Sequence, residues 1–68
     1  MKITSFLNWE GLPAVHGIHA GSRVGFAWDA KAACWFVVPI ADLLAEGQPM
    51  SPEQFTAWAP EADLSRLT

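Results

Sequence analysis

Three side chains in this 68-residue chain have the chemistry of metal ligands, or of a nucleophile and its base: His16, His19 and Cys34. On a helix, His16 and His19 would share a face; on a strand they would point to opposite faces. A structural zinc site takes four ligands at paired spacing, and the chain has one cysteine. A thiol beside an imidazole is also the core of a nucleophilic site. Cys34 opens the run Cys-Trp-Phe-Val-Val, where a small buried side chain is the simpler role. Asp29 stands at the end of an apolar run, where a carboxylate bonds its own turn backbone. Gly17, Gly21 and Gly25 recur every four residues. They lack the strand–loop–helix context of a phosphate loop, so turn or packing roles are expected. These residues point to no catalytic group, no metal and no cofactor, and the chain reads as a non-enzyme.

Charge excludes further classes. Four basic residues (Lys2, Arg23, Lys31, Arg66) stand against seven acidic ones, a net charge of −3. Duplex binding neutralises several phosphates with a basic patch, and here the cations are scattered. The acids are dispersed too and form no tail. The start Met1-Lys2-Ile3-Thr4-Ser5 does not read as a secretory leader. The apolar stretch Ala32 to Ala41 is too short to cross a bilayer and contains Pro39. With its lone thiol, the chain is expected in a reducing, cytoplasmic compartment.

At this length one domain, residues 1–68, is expected. Such a chain buries only about 60% of the surface its unfolded form exposes. No internal disulfide is possible, so packing must suffice. Hydrophobic residues make up 51% of the chain, with four Trp and four Phe, and each large aromatic buries roughly 150–250 Å².

The elements follow from local pattern. Lys2 to Trp9 alternates loosely and reads as a half-buried strand. Glu10-Gly11-Leu12-Pro13 is a turn signal. Ala14 to Ala20 reads as an extended strand or a loop, because Gly17 and Gly21 disfavour helix. Val24–Trp28 and Cys34–Val38 are two β-rich runs joined through Asp29-Ala30-Lys31-Ala32-Ala33, a hairpin pattern. A four-residue loop puts Asp29 opposite Cys34, Trp28 opposite Trp35, Phe26 opposite Val37 and Val24 opposite Pro39. Ile40 to Glu46 reads as a short helix with apolar Leu43 and Leu44, stopped at Gly47. Ser51-Pro52-Glu53-Gln54 starts a second helix with a capping box. Phe55, Trp58 and Ala59 are its expected buried face, and Pro60 ends it. A last turn spans Glu61 to Leu67, with Leu64 and Leu67 on one side. The expected fold is α+β: a small antiparallel sheet of three or four strands, a central Trp-paired hairpin, and one or two short C-terminal helices packed on one face.

In that register the hairpin is apolar on both sides: Val24, Phe26, Trp28, Trp35 and Val37 on one, Gly25, Ala27, Cys34, Phe36 and Val38 on the other. Such a hairpin must be covered twice, or one side is a contact surface. Trp28, Trp35 and Trp58 are expected in the core, and Trp9, at a strand end, partly exposed. Exposed Trp and Phe with a nearby Arg is a hot-spot composition. The expected partner-binding residues are therefore Trp9, Arg23, Phe36 and Val38.

The stretch Gly25-Phe26-Ala27-Trp28-Asp29-Ala30-Lys31-Ala32-Ala33-Cys34-Trp35-Phe36-Val37, with Phe55, Trp58 and Pro60 further on, resembles a small domain of unknown function. That domain accompanies plasmid primases, conjugation proteins and antirestriction proteins. Its pattern is Gly, two residues, Trp-Asp, about five residues, then Trp-Tyr-Val and a Pro. The likeness covers roughly residues 23–39 and 51–60. The family's usual basic residue before the first Trp is Ala27 here, its Tyr is Phe36, and its helical segment before the Gly is the Gly-broken His16–Gly21. The resemblance implies a mobile-element context and hands over no catalytic residues.

These readings together suggest a small protein-binding module of a phage or plasmid. It would be a steric inhibitor or adaptor acting on a host defence or nucleic-acid-processing complex, anti-CRISPR-like by analogy alone. Two alternatives stand beside it. One is a single-stranded nucleic-acid-binding accessory module that stacks bases on sheet aromatics, which the net charge disfavours. The other is a self-associating structural protein, closing its second apolar face on its own copy as a homodimer.

Overall fold

The computed structural model describes all of residues 1–68. The strands are β1 (Lys2–Trp9), β2 (Leu12–His19), β3 (Ser22–Asp29), β4 (Cys34–Val37) and β5 (Gln48–Met50). The helices are α1 (Ile40–Glu46) and α2 (Pro52–Trp58), and a 3-10 turn spans Leu64–Arg66. The strands form one antiparallel sheet in the order β4-β3-β2-β1-β5. It has five strands where three or four were expected. The additional one, β5, is only three residues long, and Gln-Pro-Met has neither alternation nor β-branching to announce it. Pro49 fits there because β5 is an edge strand.

The connections are built from left-handed residues. Glu10 and Gly11 have φ of 52° and 83°, and Ala20 and Gly21 have 51° and 81°. Two consecutive positive φ values make the tight hairpin turn whose twist matches that of the flanking strands. Glycine accepts this at the second position of each, whereas Glu10 and Ala20 accept some strain. In the β3–β4 loop, the Asp29 carboxylate accepts the N–H groups of Lys31 (2.9 Å) and Ala32 (3.2 Å). Ala33, with φ of 52°, returns the chain to β4.

The register sets Trp28 opposite Trp35, Phe26 opposite Val37, Ala27 opposite Phe36 and Asp29 opposite Cys34. The Trp28 and Trp35 rings meet edge to face, with centroids 5.2 Å apart. β4 ends at Val37, so Val24 and Pro39 are not a strand pair.

The path after β4 corrects the expectation that the helices share a face. One core holds Leu7, Ala14, Ala27, Val38 and Leu43, so α1 lies on the first face of the sheet. The other holds Val15, Trp28, Phe55, Ala59 and Ala62, so α2 and the following segment lie on the second. The chain leaves the β4 edge and crosses the first face as α1. It joins the opposite edge as β5, then returns over the second face. Both sides of β3 are thereby covered. Within α1 only Leu43 is buried, and Leu44 points outward. Within α2 only Phe55 is buried, with its ring 4.8 Å from that of Phe6. Ser51 and Gln54 form the capping box that starts α2, with side chain and main chain bonded reciprocally.

α1 can approach the first face because Gly25 has no side chain. A Cβ there would lie 2.7 Å from Leu43 Cδ2 and 3.0 Å from the Val38 carbonyl oxygen. The Gly25→Ala variant is therefore expected to lose about 1–3 kcal/mol of stability by overpacking. Urea denaturation followed by Trp fluorescence measures this; an unchanged midpoint would show that α1 does not need the close approach.

Candidate contact surface

The structure does not bring the four expected contact residues together. Val38 is 2% exposed and belongs to the first-face core under α1. Its exclusion follows from α1, which occupies the face that Val38 was expected to leave open. Trp9 packs partly buried against the same core, beside Leu12. Its indole N–H is buried and unpaired. Arg23 is exposed opposite Ile18. The row that holds Trp9 and Leu12 continues to Asp29, and Arg23 lies six residues along β3 from Asp29. At about 3.3 Å per residue that is roughly 20 Å. Trp9 and Arg23 thus sit at opposite ends of the first face, with α1 between them. Of the four, Phe36 alone is both apolar and exposed.

The sequence reading missed Val37, at 73% the most exposed of the large apolar side chains, next to Phe36 at 38%. Neighbours on a strand point to opposite faces, so the two flank the rim of the sheet from either side. The available signal was the position of β4 as the last strand of the hairpin. Trp58 was also misplaced. It is 40% exposed, because Phe55 and Ala59 take the sheet-facing positions one turn apart and leave Trp58 on the flank, edge-on to Phe55.

Beside β4, on the second face, lies a groove of about 630 Å³. Val24, Phe26, Trp35 and Leu67 give it apolar walls, and His19 and Arg66 add polar groups. The C-terminal segment forms one bank. It is pinned to the hairpin by two hydrogen bonds: Trp35 Nε1–H donates to the Asp63 carbonyl (2.8 Å), and Arg66 Nη1–H donates to the Ala33 carbonyl (3.0 Å). Asp63 also caps the 3-10 turn, its carboxylate accepting the Ser65 N–H and hydroxyl. The Ser65 hydroxyl is the main cause that holds the Asp63 carboxyl below its ordinary value of 3.8; the Ser65 N–H and the Arg66 charge add to it, and partial burial opposes it.

The titratable candidates are dispersed. His16 accepts or donates at Nδ1 with the Thr4 hydroxyl (3.2 Å) and bonds Thr4 again through its carbonyl, at the bulge in β1. His19 and Cys34 line the groove on the other face. No group of three or more His, Cys, Asp or Glu side chains is placed to hold a metal ion, and no helix is long and apolar enough to cross a membrane.

The Trp35→Phe variant keeps a ring in place and removes the indole donor. It is expected to lose about 0.5–1.5 kcal/mol and to speed amide exchange in residues 61–67; equal exchange there would show that the bond does not hold the segment. For Asp63 the lowered value means that the charged cap stabilises the turn above the ordinary carboxylate range, and that this is lost as pH falls below it. The Ser65 amide signal is expected to titrate with its midpoint below the ordinary value of 3.8. A shift centred above that value would contradict the assignment.

No family model, curated protein or solved structure matches the chain.

Proposed function

We propose that the chain is a non-enzymatic protein-binding module whose contact surface is the β4 rim. The observation that carries this reading is the pairing of Phe36 and Val37, two exposed apolar neighbours on an outer strand, beside an apolar groove. The remaining large apolar side chains that are exposed, Ile18, Leu44 and Trp58, stand on separate elements. An extended segment of a partner would add to the sheet at β4 and set its side chains against Phe36 on one face and Val37 on the other. The size, the dispersed charge and the resemblance to domains of plasmid proteins support a mobile-element inhibitor or adaptor. It would act sterically on a host defence or nucleic-acid-processing complex, in the manner of anti-CRISPR proteins by analogy.

Base stacking on the sheet finds less support. Phe6, Phe26 and Trp35 pack against the second-face core beneath α2 and the C-terminal segment, where Trp28 is itself buried, and the four cations are spread over the chain.

The test is affinity capture from host lysate with three proteins in parallel: wild type, Val37→Lys, and Ile18→Lys as a surface control. Capture of a specific complex by wild type and by the control, with at least a tenfold loss for Val37→Lys, is the expected result. Equal capture by all three, or none by folded wild type, would refute β4 as the surface that binds a host partner.

A further inference from the structure

β4 hydrogen-bonds to β3 alone. The Val38 N–H donates to the Gly25 carbonyl (2.9 Å), so 38/25 is a bonded pair of the ladder. Bonded and non-bonded pairs alternate, which makes Phe36/Ala27 and Cys34/Asp29 bonded pairs in turn. Trp35 and Val37 fall in the non-bonded pairs, so their N–H and C=O groups point away from β3, toward the place of a sixth strand. Proteins guard such edges with Lys, Pro or a bulge. The opposite edge, β5, has Pro49 and three residues. β4 is Cys-Trp-Phe-Val and carries no guard.

We propose that this edge pairs with the β4 of a second copy, antiparallel, about a two-fold axis at Phe36. The inference rests on β4 being the contact strand and names its occupant. Its support is a self-complementary register. With Phe36 opposite Phe36 of the second copy, each Trp35 meets a Val37. Both are outward-bonding residues, so four inter-strand hydrogen bonds form. The neighbouring registers fail. Val37 opposite Val37 sets Trp35 against Pro39, which has no N–H. Trp35 opposite Trp35 sets Val37 against Ala33, whose φ of 52° takes it out of the strand. In the Phe36 register the two Phe36 side chains meet on the first face. On the second face each exposed Val37 meets a Trp35, an aromatic–β-branched cross-strand pair. No charged residue lies in β4, so no like charges oppose each other. Two four-residue strands bury little area, which places the dimer among weak, concentration-dependent assemblies below about 1,200 Å².

Sedimentation of the purified wild-type chain from micromolar to millimolar concentration tests this, with covalent trapping to read the register. Opposed residues of a non-bonded antiparallel pair have Cα atoms about 4.5 Å apart, within disulfide reach. Under mild oxidation, the Cys34→Ser/Phe36→Cys double variant is expected to form a linked dimer at least tenfold faster than Cys34→Ser/Val37→Cys. Wild type is expected to approach twice the monomer mass with rising concentration, and Val37→Lys to remain monomeric with an unchanged circular dichroism spectrum. Monomeric wild type throughout, a dimer that survives in Val37→Lys, or faster linkage at position 37 would each overturn the proposal. Lysate capture that depends on Val37 while the wild-type chain stays monomeric would leave the binding-module reading standing and remove only the second copy as occupant.

Discussion

A strand that is apolar on both faces is the constraint from which the rest of this structure follows. Residues 24–28 of β3 read Val-Gly-Phe-Ala-Trp, and alternation sends Val24, Phe26 and Trp28 to one face and Gly25 and Ala27 to the other. Leaving either side in water would forfeit a large share of the burial available to so short a chain. The two faces differ in depth. The first presents small residues, Gly25, Ala27 and Ala14, so a single seven-residue helix settles close and plugs it with Leu43. The second presents Phe6, Phe26, Trp28 and Trp35, and its cover is α2 together with the segment through Leu67.

That division explains the route of the chain. β5 carries it from the first face to the edge farthest from β4, from which α2 can turn onto the second face. The return ends where it began, with Asp63 and Arg66 bonded to the β3–β4 hairpin. The polypeptide therefore encircles its own sheet. Beside the singly exposed Ile18, Leu44 and Trp58, two apolar neighbours stay open together at the rim, Phe36 and Val37. A rim differs physically from a face: it offers main-chain donors and acceptors as well as apolar side chains, and so it favours strand addition over flat docking.

Where signals were local, the sequence carried them. The Ser51–Gln54 capping box, the Gly47 stop and the Asp29 corner each depend on a few adjacent residues, and each is found in the structure with its hydrogen bonds. The hairpin turn at Glu10-Gly11 belongs to the same class. The misreadings share another cause. Val38 was assigned exposure from strand parity and Trp58 burial from helical spacing, which say which residues share a side and not what lies over it. Val38 went under α1, and Trp58 stood outside while Phe55 and Ala59 took the sheet. β5 was invisible because three residues with a central proline have no periodicity.

The residues alone determined an α+β chain of antiparallel strands and short helices, and the absence of any paired ligand spacing or basic patch, because periodicity, caps and composition are properties of neighbouring positions. Which helix covers which face, and thus which apolar residues remain open, was decided by the tertiary structure. A path across a sheet depends on how closely each element can approach it. Here a missing Cβ at Gly25 and the placement of β5 at the far edge set that approach, and neither can be read from residues adjacent in the chain.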